Sequence, residues 1–210
     1  NTLDIISKKN KLFKPLIFSA NKNYKLISKQ ITKFKPRYFV INDQSTFKKI
    51  SKKFKKKNIK ILKNYDDIKL KSASSITVSA IPGIAGLEPI LKLTKYSDKI
   101  LIANKEAIIC GWDLIKKKAA QNKTKLIPID SEHYSILKLI ENHNMEDIKK
   151  IYITASGGPF LNFTRKQLSK VKVNQALKHP KWKMGKKISI DSATLMNKIF
   201  EVVEAQKIFN

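Results

Sequence analysis

Cysteine and arginine are both scarce in this sequence. Its 210 residues include one cysteine, Cys110, which excludes an internal disulfide and a zinc site built from several cysteines. We expect Cys110 to be a small core side chain in a protein of a reducing compartment. The only two arginines are Arg37 and Arg165, whereas recognition of base edges and phosphates favours the arginine guanidinium.

Long apolar runs are also absent from the sequence. No segment approaches the roughly 18 consecutive apolar residues that a membrane-spanning helix needs, so we expect no membrane association. The first residues, 1–6, have neither an initiator methionine nor the pattern of a signal peptide. They are typical of an internal segment of a longer protein.

Lysine dominates the charge of the chain. The formal net charge is +28, and the lysines are spread along the sequence among many isoleucines and asparagines. The single dense run, Lys52–Lys57, is typical of a solvated helix end. A basic nucleic-acid-binding module is therefore the weaker interpretation, although the charge favours attraction of a phosphorylated substrate.

The first 130 residues alternate short β-rich runs with amphipathic stretches. This alternation predicts an α/β fold, a Rossmann-like parallel sheet domain followed by the start of an α+β catalytic domain. We place the first domain at 1–130 and the second at 131–210. The predicted helices in the first half are Asn23–Phe34 and Ser45–Lys57. The predicted strands are Leu16–Ser19, Tyr38–Ile41, Ile76–Ala80, Lys99–Ile102, Lys125–Ile129 and Ile151–Thr154.

Polar clusters follow several of these strands, where open parallel sheets bind their ligands. Asp130 and Glu132 are suited to Mg²⁺ or Mn²⁺ because both ions prefer oxygen ligands. From the local sequence alone, a polar helix start with Asp130 or Ser131 as its cap is the favoured explanation of the same pair. Glu201 is the candidate for a third ligand.

Glu201 belongs to a helix predicted from about Ala193 to Ile208. Ser192, Asn197 and Lys198 near its amino end could hold a phosphate group, since a helix N-terminus attracts anions. The alternative is an ordinary amphipathic helix whose core face carries apolar residues, namely Leu195, Ile199 and Val202.

Two loops offer further candidates. Ser156 precedes two glycines that allow the backbone to approach a ligand closely, although a plain tight turn has the same pattern. The loop His179–Gly185, with Trp182 and Met184, resembles a lid that excludes water, or else a surface loop with one anchoring tryptophan.

Five motifs, in the order in which they follow one another along the chain, resemble those of the deoxyxylulose-phosphate reductoisomerase family of the non-mevalonate isoprenoid pathway. The resemblance spans essentially the whole chain, and the last two motifs are highly specific. The motifs are Ala103–Glu106, Pro128–His133, Ser156–Phe160, His179–Gly185 and Ile190–Lys198.

The resemblance implies an enzyme that isomerises and reduces a phosphorylated sugar with NADPH and Mg²⁺ or Mn²⁺. It implies metal ligands at Asp130, Glu132 and Glu201, and catalytic roles for Lys105, Glu132 and His179. The implied substrate contacts are Lys105, Ser131, Glu132, Ser156, His179, Trp182, Met184, Ser192, Asn197, Lys198 and Glu201. The implied NADPH contacts are Lys22, Asn23, Asn104, Glu106 and Gly185.

The resemblance also carries expectations about the whole protein. The family's glycine-rich loop precedes the segment that corresponds to Thr2–Asp4, so we expect these 210 residues alone to show no turnover. At full length we expect a homodimer in the bacterial cytoplasm, with a plastid-type organelle as the alternative. A different NAD(P)-dependent enzyme of another phosphorylated metabolite is the main competing interpretation.

Overall fold

The computed structural model describes residues 2–70, 74–182 and 184–210. Its internal contacts divide the chain into two compact units, Asn1–Ser74 and Ser75–Asn210. The predicted boundary between a cofactor-binding domain and a catalytic domain at residue 130 stays a prediction. In the described ranges, no helix is both long enough and apolar enough to cross a membrane.

The first unit alternates strands and helices along the chain. Its three strands form a parallel sheet in the order β1-β2-β3, with Ile17 opposite Tyr38 and Tyr38 opposite Lys60. The strand predicted at Tyr38–Ile41 is confirmed, and β1 begins one residue later than predicted. The elements are α1 (Thr2–Lys8), β1 (Ile17–Ala20), α2 (Tyr24–Phe34), β2 (Tyr38–Ile41), α3 (Gln44–Lys53) and β3 (Lys60–Leu62).

Isoleucines at helical spacing form the core of this unit. Ile27 and Ile31 on α2 are four residues apart, so both side chains face the sheet and pack with Phe39 and Ile41 of β2. Full burial of each such side chain contributes about 1.5–3 kcal/mol to stability. This packing explains why a chain so rich in lysine still forms an ordered unit.

The second unit begins with another three-stranded sheet, in the order β4-β5-β6. Strands β5 and β6 are parallel, with Ile102 opposite Pro128, so their carboxyl ends lie side by side. This alignment brings the start of α5 next to the start of α6. The elements are β4 (Ser74–Ser79), α4 (Leu87–Leu93), β5 (Ser97–Ile102), α5 (Lys105–Gln121), β6 (Lys125–Pro128) and α6 (Ser131–Ile140).

Helix α5 forms the core of the second unit. Ile108, Trp112 and Ile115 pack together with residues of α4 and β5, and Ile208 near the chain's end packs against this cluster. The expectation that Cys110 is a core residue is wrong, because Cys110 is exposed. It lies two residues from Ile108 and from Trp112, which places it off the buried face of the helix.

The remaining regular elements of the described chain are helical. They are α7 (Arg165–Leu168), α8 (Val173–Ala176), α9 (Lys186–Ala193) and α10 (Met196–Phe209), with 3₁₀ turns at Ile84–Gly86, Thr94–Tyr96, Met145–Asp147 and Gly158–Phe160. The strand predicted at Ile151–Thr154 is wrong, because no described strand pairs with it and Tyr152 is 82% exposed. The α/β class with parallel strands is confirmed.

The helix predicted from Ala193 is interrupted. Helix α9 ends at Ala193 and α10 begins at Met196, because Leu195 between them adopts a left-handed φ of 59°. The predicted core face of this helix is also wrong, since Leu195, Ile199 and Val202 are exposed. The carboxylates Glu201 and Glu204 occupy the buried face of α10 instead.

Candidate functional site

Three carboxylates converge in the second unit. Asp130 lies at the N-cap of α6, Glu132 lies in its first turn, and Glu201 lies on α10. Their ligand oxygens all lie within 4.8 Å of one another. Strand β6 and the packing of α10 against α5 bring together side chains that are 71 residues apart in the sequence, from Asp130 to Glu201.

Two lysines accompany these carboxylates. The Nζ of Lys105 lies 3.6 Å from Oδ2 of Asp130 and 3.3 Å from Oε1 of Glu201. The Nζ of Lys198 lies 3.7 Å from Oε1 of Glu132 and forms an ion pair with Glu201. Three carboxylates and two ammonium groups leave one net negative charge at the cluster.

The donor set fits a hard divalent cation. Carboxylate oxygens are the ligands that Mg²⁺ and Mn²⁺ prefer. Oε2 of Glu201 is buried and has no hydrogen-bond partner, although the Lys198 ammonium lies beside it. The buried carboxylate of Glu201 already pairs with the ammonium groups of Lys105 and Lys198, so a bound metal would share its oxygens with them.

The ionisation of the cluster reflects burial and charge. Burial favours the neutral form of Asp130, but His133 and the charge of Lys105 hold the pKa of this carboxyl well below its usual range. Burial raises the pKa of Glu204, on the same helix as Glu201, to about 7. For His133, burial opposes protonation, yet Asp130 and the carbonyl of Glu201 raise its pKa overall.

A cavity of about 370 Å³ adjoins the carboxylates. Most of the predicted substrate contacts line it, while Lys105 reaches the carboxylates from α5 and Ser131 donates a hydrogen bond of 2.6 Å to Oε2 of Glu132. The structure thus brings these side chains together, and their roles stay predictions. The predicted residues in the cavity wall are Glu132, Ser156, His179, Trp182, Met184, Ser192, Asn197, Lys198 and Glu201.

The wall of the cavity near Ser156 depends on a glycine. Gly158 has a φ of +66°, and a Cβ at this position would lie 2.7 Å from the carbonyl oxygen of Ser192. A residue with a side chain would therefore push the turn at Gly158 away from α9. The prediction that a helix begins at residues 191–194 and binds an anion there is wrong. Helix α9 spans Lys186–Ala193, so Ser192 lies near the carboxyl end of a helix and not at its amino end.

The predicted lid loop has a defined hydrogen-bond arrangement. The backbone N–H groups of Lys181 and Trp182 donate to Nδ1 of His179 at 3.1 and 3.0 Å. Because Nδ1 accepts these hydrogen bonds, the proton of the neutral ring is on Nε2. Nε2 lies 3.0 Å from Oγ of Ser156 and donates a hydrogen bond to that oxygen. The indole of Trp182 is 62% exposed, and Lys183 lies outside the described residues.

The predicted cofactor contacts in the first unit follow β1 directly. Asn23 caps α2, since its Oδ1 accepts from the N–H of Leu26 at 3.0 Å. The carbonyl of Lys22 accepts a hydrogen bond of 3.3 Å from the hydroxyl of Thr46. Both residues are exposed at the carboxyl end of a parallel strand, the usual location of a ligand in such sheets.

The other predicted cofactor contacts lie in the second unit. The buried side chain of Asn104 caps α5 by accepting from the N–H of Ala107 at 2.5 Å, and it donates to the carbonyls of Ile81 and Gly83. Its polar atoms therefore hold the loop after β4. Gly185 is the N-cap of α9.

Glu106, also a predicted cofactor contact, forms an ion pair with Lys187 of α9. Its Oε1 lies 3.2 Å from Nζ of Lys187, which also lies 2.7 Å from Oδ2 of Asp191. Burial opposes ionisation of Glu106, but its own backbone N–H and Lys187 hold the pKa of this carboxyl below its ordinary value. The predicted contacts did not include Lys187.

His133 and Glu204 are two buried ionisable residues beside the carboxylates to which the sequence motifs assign no role. The spacing of Glu204, three residues after Glu201 on one helix, was the signal that could have identified it.

Comparison with known proteins agrees with this geometry. The family model described as 1-deoxy-D-xylulose 5-phosphate reductoisomerase matches residues 1–111, and the model of its C-terminal domain matches residues 126–209. The enzyme of this name from Pelagibacter ubique (strain HTCC1062) is 45% identical over 99% of the chain and 55% of its own length. The one from Clostridium novyi (strain NT) is also 45% identical, over 100% of the chain and 56% of its own length.

Solved structures of the same enzyme are also similar. One, in complex with NADPH, fosmidomycin and magnesium, has a TM-score of 0.86 and 32% identity, with 99% of this chain and 54% of that chain covered. The Zymomonas mobilis enzyme in complex with NADPH has a TM-score of 0.85 and 30% identity over the same shares. The chain spans about half the length of these relatives. It belongs to the 1-deoxy-D-xylulose 5-phosphate reductoisomerase family.

Proposed function

We propose that the protein containing this chain converts 1-deoxy-D-xylulose 5-phosphate into 2-C-methyl-D-erythritol 4-phosphate, an NADPH-dependent step of non-mevalonate isoprenoid biosynthesis. One observation carries the proposal: Asp130, Glu132 and Glu201 converge at a cavity that also contains polar side chains suited to a phosphate. Solved relatives hold NADPH and magnesium, which supports the same cofactors here. Mn²⁺ is an equally suitable metal on ligand chemistry.

The three carboxylates would hold the metal. When bound, the metal supplies Lewis acidity that stabilises negative charge on a substrate oxygen. Ser131 keeps Oε2 of Glu132 oriented through its hydrogen bond of 2.6 Å. Asn197 donates to Oε1 of Glu201 at 2.5 Å and so restricts the rotation of that carboxylate.

Lys105 is the cation on the α5 side of the reacting end. Its Nζ lies 2.8 Å from Oδ1 of Asn197, at the point where α5 and α10 meet. From this position it donates a hydrogen bond to a substrate oxygen near the carboxylates. A charged donor of this kind strengthens as negative charge develops on that oxygen.

The phosphate would bind in the same cavity, next to the carboxylates. Ser156, Ser192, Asn197 and Lys198 line it and offer hydroxyl, amide and ammonium donors. Binding energy from this non-reacting group positions the reacting carbon atoms. His179 connects this end to the lid loop through Ser156, so closure of the loop with Trp182 over the ligand would exclude water.

The NADPH contacts that the family resemblance implies follow two of the parallel strands. Lys22 and Asn23 follow β1, whereas Asn104 and Glu106 follow β5, and Gly185 ends the lid loop. The cofactor supplies the hydride that reduces the rearranged substrate. The chain's own residues provide its binding and orientation.

Turnover of Glu132→Gln tests the proposal, with the protein expressed from its complete gene. We expect kcat/KM at limiting Mg²⁺ to fall at least about 100-fold, because one anionic ligand is lost. Glu146→Gln, at an exposed position, is the matched control and should keep normal activity. Near-normal activity of Glu132→Gln at limiting Mg²⁺ would contradict the metal assignment.

Assembly and location belong to the same proposal. We infer a homodimer in the bacterial cytoplasm, a location that fits the bacterial relatives. The exposed apolar residues of α10, Ile199 and Val202, are consistent with further covering of that helix in the complete protein. Sedimentation of the complete protein would decide between monomer and dimer.

A further inference from the structure

A buried histidine and a buried glutamate lie behind the candidate metal ligands. His133, in the first turn of α6, is 0% exposed, and Glu204, on α10, is 1% exposed. Neither residue lines the cavity beside the three carboxylates. Burial of two ionisable side chains costs free energy unless they form specific contacts, so their contacts indicate their role.

The imidazole of His133 contacts both elements that carry the carboxylates. Its Nε2 lies 2.9 Å from the backbone carbonyl oxygen of Glu201. Because a carbonyl oxygen only accepts, Nε2 carries a proton and donates the hydrogen bond. Its Nδ1 lies 3.5 Å from Oε2 of Glu204 and 3.7 Å from Oδ1 of Asp130. The ring therefore connects α10 at Glu201 to the N-cap of α6.

This arrangement restrains a distance on which metal binding depends. Asp130 and Glu132 belong to α6, whereas Glu201 belongs to α10, and the negative charges of the three repel one another. A contact between the two helices that lies outside the cavity opposes their separation. Residues behind metal ligands commonly raise metal affinity in this way, and their loss costs about 10- to 100-fold.

We propose that His133 and Glu204 are positioning residues for the metal-binding carboxylates. The proposal rests on the proposed function. Glu204 attracts the His133 ring from one side, with Oε2 3.5 Å from Nδ1 and no hydrogen bond between them, and the hydrogen bond from Nε2 holds the backbone of α10 at Glu201 close to Asp130. Neither side chain lines the cavity, so their effect is on metal affinity and not on the reaction with metal bound.

Binding of Mn²⁺ without substrate provides the test, by calorimetry on the protein expressed from its complete gene. We expect Glu204→Leu to weaken Mn²⁺ binding about 10- to 100-fold, with kcat at saturating Mn²⁺ within about threefold of normal. Glu204→Gln should stay within about threefold in both measurements, because its amide can hydrogen-bond to Nδ1 of His133.

Thr94→Val is the matched control for loss of a buried polar side chain. Thr94 lies in the same unit, and its hydroxyl bonds to Leu91 and Asn122, away from the carboxylates. This variant should lower the melting temperature and leave Mn²⁺ affinity unchanged. If Glu204→Leu binds Mn²⁺ as tightly as Thr94→Val does, the positioning role is overturned.

Two further variants keep the test decisive. If Glu204→Leu does not fold, His133→Asn replaces it, because the shorter side chain cannot reach the carbonyl of Glu201. Unchanged Mn²⁺ affinity in His133→Asn then overturns the proposal.

Glu201→Gln distinguishes a failure of the proposed metal ligands from a failure of the positioning role. Unchanged Mn²⁺ affinity in Glu201→Gln contradicts the proposed metal ligands, whereas an effect there without one in Glu204→Leu contradicts positioning alone.

Discussion

The Nζ of Lys105 lies 3.3 Å from Oε1 of Glu201, although 96 residues separate the two in the sequence. The contact exists because α10 packs along α5, with Ile208 in the core that contains Trp112 and Ile115. It places a positive charge next to a carboxylate that we assign to the metal. Lys105 and a divalent cation therefore compete electrostatically for the same oxygens.

Lys105→Met should raise metal affinity and lower turnover. Removing an ammonium group near two ligand carboxylates removes its repulsion of a cation, so Mn²⁺ should bind roughly threefold to tenfold more tightly without substrate. Turnover should fall because the substrate loses a charged donor. Calorimetry and steady-state kinetics measure the two effects. Lys116→Met, an exposed position on α5, should change neither, and weaker Mn²⁺ binding in Lys105→Met would refute the electrostatic account.

Gly158→Ala should destabilise the protein for two reasons, the backbone conformation at Gly158 and a contact of the new Cβ with Ser192. The φ of +66° disfavours a side chain, and the new Cβ would lie 2.7 Å from the carbonyl oxygen of Ser192. We expect the free energy of unfolding to fall by about 2–4 kcal/mol, with a higher KM for the phosphorylated substrate.

Gly83→Ala is the matched control for this prediction. Gly83 has a φ of +74°, but a Cβ there meets no atom within 4 Å. This variant should lose only the conformational component, about 1–3 kcal/mol. Denaturant unfolding of both variants compares the losses, and equal losses would show that the contact with Ser192 contributes nothing.

Asn104→Ala should destabilise the start of α5. The variant loses the N-cap acceptor for Ala107 and leaves the carbonyls of Ile81 and Gly83 without this donor, for an expected loss of about 2–4 kcal/mol. Asn104→Asp keeps the cap acceptor but places a carboxylate oxygen against both carbonyls, so it should cost at least as much as Asn104→Ala. Asn23→Ala removes an exposed cap and should cost only about 1 kcal/mol. Equal costs for Asn104→Ala and Asn23→Ala, measured by denaturant unfolding, would contradict this prediction.

Lys187→Met should raise the pKa of Glu106. In the folded protein the pKa of this carboxyl is lowered, so its ionised form contributes stability above the unfolded pKa, and that stability is lost as pH falls through the folded pKa. Without Lys187 this loss should begin at a higher pH. A carboxyl NMR titration measures the change, with Lys186→Met as the control at the neighbouring position. An unchanged titration of Glu106 in Lys187→Met would show that the ion pair has no effect.

Local patterns in the sequence were sufficient for several elements. Strand β2 was predicted with its correct bounds, because a continuous apolar run between lysine-rich helices is favourable only as a buried strand. The motifs around Asp130 and Asn197 were also recognisable in the sequence alone. Strand β3 was not predicted, because its three residues are too few to form a pattern.

The sequence by itself determined the family, the parallel α/β class and which residue types can bind a metal and a phosphate, because these depend on local composition and motif. Only the tertiary structure decided that Glu201 lies beside Asp130 and Glu132, that Leu195 separates α9 from α10, and that α10 buries its glutamates while exposing Ile199. These outcomes depend on which helix packs against which strand. Contacts between residues far apart in the chain determine that packing, and no local pattern encodes it.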